Sequence, residues 1–390
     1  MNILVVGAGI GGLTAASALS QAGHSVTLIE RGAQFAPLGA GIVLAPNAVR
    51  ALESLGVAPA QYGQPLPSLD VMRADGALLN RIDAQRLGAV YGPSYAFARP
   101  RLHEALCAAL PRSVELRMGT AADSIRPRAD RVEVKLGAEE RSFDLVVGAD
   151  GLRSSVREQV AGPSRYRYSG TTCFRGLVAN PGIERPLEAW GGQARVGAVP
   201  LLDNQLYYFL VLSAPARAPA PAFPGSLREL FGHFQGEPAK LIRALRSAPP
   251  LHHDLDELEE PVWGVPRVCL LGDAAHAMTP NQGQGAAMAI EDALALRLAL
   301  EQGIEGAFER YVATRQTRVR AVQLDSRRLG RVAHIANPFG MWLRDAIMRH
   351  MPVALADAQY RKIVQPGLEL VQRSSQLRAA QAPLATSALC

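Results

Sequence analysis

The sequence predicts an α/β protein in which a parallel-sheet domain is interrupted by an inserted antiparallel sheet and followed by C-terminal helices. Three observations predict it. The chain opens with an apolar β-branched run, a GxGxxG turn and a helical pattern. The combination of buried strand, glycine and carboxylate recurs at Gly148-Ala149-Asp150 and at Gly272-Asp273. Between those recurrences, from Arg165 to Leu212, aromatic residues concentrate in alternating runs, the pattern of an antiparallel sheet with one face on a cavity.

Composition bounds the function. With 390 residues, 48% hydrophobic content and mean hydropathy +0.04, the chain is long enough for two or three globular domains. A formal charge of +6 and a pI of ≈ 9.3 suit anionic ligands. The 41 basic residues form no Lys/Arg run and no stripe interleaved with aromatics, so a nucleic-acid partner is not expected. Cys107, Cys173, Cys269 and Cys390 show no CxxC or metal spacing, which fits reduced thiols in a cytoplasmic protein and no metal site. The first strand follows Met1 without a signal-peptide pattern, and no stretch approaches the ~20 apolar residues of a spanning helix. Integral membrane association is not expected.

The elements follow in order. Asn2 to Val6 reads as a strand, and Leu13 to Gln21 as a helix. Between them Gly7, Gly9 and Gly12 allow a tight turn and close approach of a pyrophosphate to a helix N-terminus. The next strand, Ser25 to Ile29, ends in Glu30, an acceptor for adenosine ribose hydroxyls. The unit is Rossmann-like. A carboxylate there implies a nucleotide with a free 2′-OH, as in FAD or NAD. Gly39-Ala40-Gly41 precedes a helix from Asn47 to Leu55 and reads either as a simple loop or as backbone lying against a flat ring. Leu66 to Val90 alternates and turns at Asp75-Gly76, a hairpin within another sheet. Arg99 stands at a junction into the helix Pro100 to Leu110, where it could reach a phosphate, and His103 reads as structural.

Val114 to Leu116 and Val132 to Leu136 read as strands, and Phe143 to Gly148 as a buried strand ending at Asp150-Gly151. In the aromatic segment, parity puts Arg195, Gly197 and Val199 on one face of a strand, and Tyr207, Phe209 and Val211 on one face of the next. Helical stretches span Ser226 to Ser247. His252-His253 sits in a strand pattern, so the two rings point to opposite faces and do not form a metal pair. Val268 to Leu271 returns to the parallel sheet, Asp273 follows its turn, and Pro280 to Gly285 opens a long helix with an electropositive end. Phe308 to Arg328 is a helix with Arg315, Arg318, Arg320, Arg327 and Arg328 mainly on solvent faces. Gly340 to Met351 is an amphipathic helix, and Ser374 to Cys390 a fraying tail.

With GAGIGG at the start, GADGLRSSVR in the middle and LLGDAAHAMTPNQGQGAAMAIEDA late, the chain resembles the class A flavoprotein monooxygenases of the para-hydroxybenzoate hydroxylase type. The resemblance implies a Rossmann-like FAD-binding domain over residues 1–65, 97–164 and 262–330. It implies a substrate domain over 66–96 and 165–261, and a C-terminal helical segment and tail over 331–390. It assigns FAD contacts to Gly7, Gly9, Gly12, Glu30, the adjoining Arg31, Arg99, Asp150, Asp273, Gly283 and Gly285, with NADH or NADPH as a visiting co-substrate. It implies hydroxylation of a small planar aromatic or N-heteroaromatic ring through a flavin hydroperoxide, with O2 consumed beside Pro280. The spacing of Arg195 and Tyr207 resembles that of a substrate-contacting pair in FAD-dependent urate hydroxylases. Asn281 stands where those enzymes carry an aspartate, and a neutral amide cannot serve as base. His276 reads as a structural turn residue. The expected assembly is a monomer or homodimer.

Other outcomes share these motifs. A halogenase would carry a WxWxIP motif and a catalytic lysine, whereas Trp190, Trp263 and Trp342 stand alone and the lysines are Lys135, Lys240 and Lys362. A flavin reductase and an alkene epoxidase remain as alternatives, as does a non-enzymatic binding protein.

Overall fold

The computed structural model describes residues 1–35, 39–246 and 249–381. Its main sheet is six-stranded, in the order Gly264–Val265, Val268–Leu270, Leu145–Gly148, Asn2–Val6, Ser25–Glu30, Glu115–Met118. The last five are parallel and Gly264–Val265 is an antiparallel edge. The runs of Val, Ile and Leu in these strands reflect burial of both faces. Ile3, Val5, Val26, Leu28 and Val147 pack under the helices Ile10–Gln21 and Gly285–Leu300, while Leu4, Ile29, Val146 and Leu270 pack on the other side. There they meet the three-stranded sheet Ser124–Pro127, Val132–Leu136, Glu139–Phe143.

The second sheet has seven strands, in the order Leu251–Leu258, Tyr166–Ala179, Gln205–Ser213, Ala194–Pro200, Leu187–Trp190, Leu69–Arg73, Leu78–Ile82. All neighbours are antiparallel except Leu187–Trp190 with Leu69–Arg73. One face carries Phe174, Val196, Ala198, Tyr208 and Leu210 and is covered by helices Gly225–Leu230 and Glu237–Ala244. The opposite face turns toward the first domain.

Several elements differ from the sequence reading. Leu66 to Val90 is not strand throughout: after the hairpin comes a helix, Ala84–Tyr91, capped by Asp83, whose carboxylate accepts from the Arg86 N–H at 2.8 Å. The late glycine-rich segment is a 3₁₀ turn, Pro280–Gln282, with Gly283 in the left-handed region at φ 63°, and the α-helix begins at Gly285. The helix Ala307–Ala333 outruns Arg328, and Arg315 is buried rather than solvated because two carboxylates on the neighbouring helix neutralise it. Ser374 to Gln381 continues the helix Val353–Gln381 instead of fraying. Ser247, Cys390 and the rest of the expected tail lie outside the described residues.

Candidate active site

Because the five strands are parallel, the turns that follow them emerge on one edge of the sheet. Leu145–Gly148 lies between Asn2–Val6 and Val268–Leu270. The turns at Gly7, at Asp150 and at Asp273 therefore stand side by side, with Glu30 one strand further. This is the crevice at carboxyl strand ends where open α/β sheets bind ligands. Gly7 lies against the Ala149–Asp150 backbone, and a Cβ on Gly12 would run into the Gly7 carbonyl oxygen. Gly9, by contrast, faces open space. Glu30 braces this turn: Oε2 accepts from Ala8 N at 3.0 Å and Oε1 from Gly32 N at 2.9 Å. Asp150 accepts from the Ser154 hydroxyl and from the N–H groups of Ser155 (2.7 Å) and Val156 (3.1 Å), so it caps the helix Ser155–Ala161. Arg157, fully buried, donates to the carbonyls of Leu152 and Ala274 and ties this turn to the one after Asp273.

Asp273 is exposed in that crevice and accepts no hydrogen bond among the described residues. Of the two glycines near the helix start, Gly283 donates its N–H to the Pro280 carbonyl at 2.9 Å. Gly285 opens the α-helix, where first-turn N–H groups lack intrahelical partners, and space in front of it is open.

Across from this edge stands the other face of the second sheet, buried where Val199 and Tyr207 pack with Ala40 and Ala96. Arg195 pairs with Val211, Gly197 with Phe209 and Val199 with Tyr207, so the two parity sets share one face. Cys173, Arg175 and Leu177 extend it, opposite Val211, Phe209 and Tyr207. Arg195 and Tyr207 are four residue steps apart along the strand, roughly 13 Å. At one end the Arg195 side chain, 4% exposed, donates Nε to His334 (2.9 Å), one terminal nitrogen to Glu188 (3.0 Å) and the other to the Asn281 amide oxygen (2.7 Å). Trp190 donates to the same Glu188 oxygen, and Asn281 donates to the Ser326 carbonyl. Burial, with Arg195 adjacent, pushes the His334 imidazole down to about 3, so it stays neutral and accepts at Nε2. At the other end burial pushes the Tyr207 phenol up to about 12, against the pull of Arg175 and Arg99. Arg175 donates to Cys173 Sγ at 3.2 Å and has no carboxylate partner among the described residues. Gly41 packs on the Tyr207 ring, where a Cβ would collide.

A family described as an FAD-binding domain matches residues 1–180 and 261–325. The chain is 36% identical over 365 residues to 2-heptyl-3-hydroxy-4(1H)-quinolone synthase of Pseudomonas aeruginosa strain UCBPP-PA14, covering 91% of this chain and 95% of that protein. It belongs to the FAD-dependent class A flavoprotein monooxygenases. Another relative is aurachin C monooxygenase/isomerase of Stigmatella aurantiaca, 35% identical over 379 residues, 94% of this chain and 98% of the relative. Klebsiella pneumoniae HpxO, solved with FAD and uric acid, superposes with a TM-score of 0.79 at 26% identity, covering 97% of each chain.

The crevice of this monooxygenase fits FAD. The open space at Gly9, the unpartnered Asp273 and the bare helix start at Gly285 are the features an ADP moiety, a ribityl chain and an electron-rich ring edge require. Arg31 and Arg99 are exposed beside the same turns, each without an ion-pair partner among the described residues. Pro280 is exposed between the two halves of the site. His103 bonds the Ala8 carbonyl at 2.9 Å, and His276 is buried against Asp292 at 2.6 Å, both structural. No group of His, Cys, Asp and Glu able to hold a metal occurs among the described residues. Sequence reasoning missed Glu188, His334 and Arg175. Parity along Leu187–Trp190 and Tyr166–Ala179 places the first and last on the face of Arg195 and Tyr207 once the register is known. His334 lies 139 positions from its partner Arg195 and left no local signal.

Proposed function

We propose that this monooxygenase hydroxylates a planar, uncharged N-heteroaromatic ring of the 4-quinolone class, with NADH or NADPH as reductant. The observation that supports the reading is the charge balance around Arg195. Glu188 neutralises it, and Asn281 brings an amide where a carboxylate would add charge, so that end of the cavity offers hydrogen bonds rather than a free cation. The Tyr207 phenol, kept protonated by burial, is a donor for a ring carbonyl at the other end. Two relatives that match nine-tenths of the chain or more are named as a 2-heptyl-3-hydroxy-4(1H)-quinolone synthase and an aurachin C monooxygenase/isomerase. FAD, when bound, would carry two electrons from the nicotinamide to O2, so that one oxygen atom of O2 enters the ring and the other leaves as water. The protein orients the ring between Arg195 and Tyr207, excludes water with the apolar Val199, Val211 and Phe209, and presents the Gly285 helix end to charge on the reduced cofactor. Glu30, Asp273 and Arg99 bind the cofactor, while Asn281 positions Arg195.

Arg175 favours a second reading, an anionic ring such as a hydroxybenzoate, because its guanidinium makes no direct ion pair among the described residues, with Asp273 acting on it only at longer range. NADH and NADPH oxidation by the FAD-loaded protein separates the two when measured with 2-alkyl-4-quinolones, hydroxybenzoates and urate, with peroxide quantified. Stimulation by quinolones with little peroxide supports the first reading. Stimulation confined to the acids overturns it.

A further inference from the structure

The helix Pro338–Arg349 is inside out. Phe339, Trp342, Leu343 and Ile347 occupy one stripe of about 140° at 100° per residue, and they are 70%, 64%, 43% and 58% exposed. The face turned to the protein carries an ion pair, Arg344 with Asp345, both buried, with the Arg344 guanidinium over the Trp190 ring at 5.3 Å. Phe339 and Trp342 already contact one another in a tilted arrangement, ring centroids 5.9 Å apart. The stripe continues into Val353 and Leu355, also exposed, and the helix lies along the edge strand Leu78–Ile82, whose Leu78 and Ile82 are exposed too. Contiguous apolar surface of this kind on a water-facing helix marks a surface that something covers.

The charges around the stripe indicate what. From Val332 to Ala356 the chain has one carboxylate, Asp345, and it is buried on Arg344. Arg349 and His350 flank Trp342 in an open hollow of ≈ 580 Å³, and Arg331 and Arg361 are exposed nearby in sequence. Aromatic and aliphatic side chains on one stripe with basic residues at its margin form the pattern of a helix lying in the interface of an anionic bilayer. No described helix is long and apolar enough to cross a membrane, so the contact would be peripheral.

We propose that the stripe Phe339, Trp342, Leu343 and Ile347, extended by Val353 and Leu355, docks the monooxygenase on an anionic lipid surface. The inner face of the same helix packs on Trp190, in the hairpin that holds Arg195, so docking would place the Arg195 end of the site one helix away from the lipid. The inference goes beyond the function proposed above and does not depend on which ring is oxidised. It is tested with the FAD-loaded protein and vesicles of phosphatidylcholine, with and without phosphatidylglycerol, in flotation. Binding is expected to the phosphatidylglycerol vesicles, to weaken as salt rises, and to fall about 100-fold in the double variant Trp342→Glu, Ile347→Glu. The variant's flavin absorbance and Tm report that it is folded. No binding to either vesicle, or binding that the double variant retains, overturns the proposal. So does a dimer in gel filtration that the variant converts to monomer while vesicles leave the wild type unbound, because a second copy then covers the stripe.

Discussion

Glu30 and Arg195 show how single side chains set the chemistry. Glu30 holds the glycine turn through Ala8 and Gly32, and we propose its carboxylate as the acceptor for a ribose. Glu30→Gln is expected to weaken FAD binding about 10- to 100-fold, read from flavin fluorescence, because charge-assisted hydrogen bonds are replaced by neutral ones. Removing Arg195 strands Glu188 beside Trp190. Arg195→Gln should keep flavin reduction but divert electrons to peroxide, seen as a lower ratio of product to nicotinamide consumed. His334 contributes to the pH dependence, alongside His253, which burial also lowers, to about 4. The folded His334 value of about 3 lies below the ordinary 6.5, so the unfolded chain binds a proton that the folded chain refuses, and stability falls as pH drops from 6.5 toward 3. Tm measured from pH 7 to pH 4 should fall less steeply in His334→Gln.

At the level of elements, glycine turns at parallel strand ends were legible because the chemistry is local: a turn, a close backbone approach and a helix start lie within six residues of one another. The α/β class and the two parity sets, Arg195 with Gly197 and Val199, and Tyr207 with Phe209 and Val211, were legible for a similar reason, since alternation is a property of each strand alone; that the two sets share a face follows only from the register. What was not legible depended on tertiary partners. Arg315 read as solvated because its helix is arginine-rich, and only packing against Glu291 and Asp292 reveals it as buried. The helix Ala84–Tyr91 was hidden by the hairpin before it, although Asp83 three residues ahead of Arg86 is a capping signal. The glycine turn itself separates two roles. Gly12→Ala places a methyl in the Gly7 carbonyl and should prevent folding of the domain, whereas Gly9→Ala meets no protein atom. The Gly9 variant should keep the Tm of the cofactor-free protein and lose FAD affinity at least about 10-fold.

Across the whole molecule, charges buried between helices brace the crevice edge of the first sheet. Arg315 bonds Glu291 and Asp292 at 2.7 Å each, Asp292 accepts from Gly272 N at 2.9 Å and from His276, and Glu291 also accepts from Arg318 and Asn47. The cluster links the helices Gly285–Leu300 and Ala307–Ala333 to the turn that presents Asp273. Arg315→Met leaves two buried carboxylates short of a partner and should cost about 3–5 kcal/mol in urea denaturation. The architecture as a whole makes one claim above the others: electrons collected at the glycine-lined crevice end up in an oxygenated ring. Turnover of the FAD-loaded protein under isotope-labelled dioxygen, with NADH or NADPH and the quinolone and phenol panel, tests it most directly. The account predicts a ring product carrying one labelled oxygen atom, formed in step with nicotinamide oxidation. Every ring returned unchanged, with all electrons recovered in labelled peroxide, would contradict it.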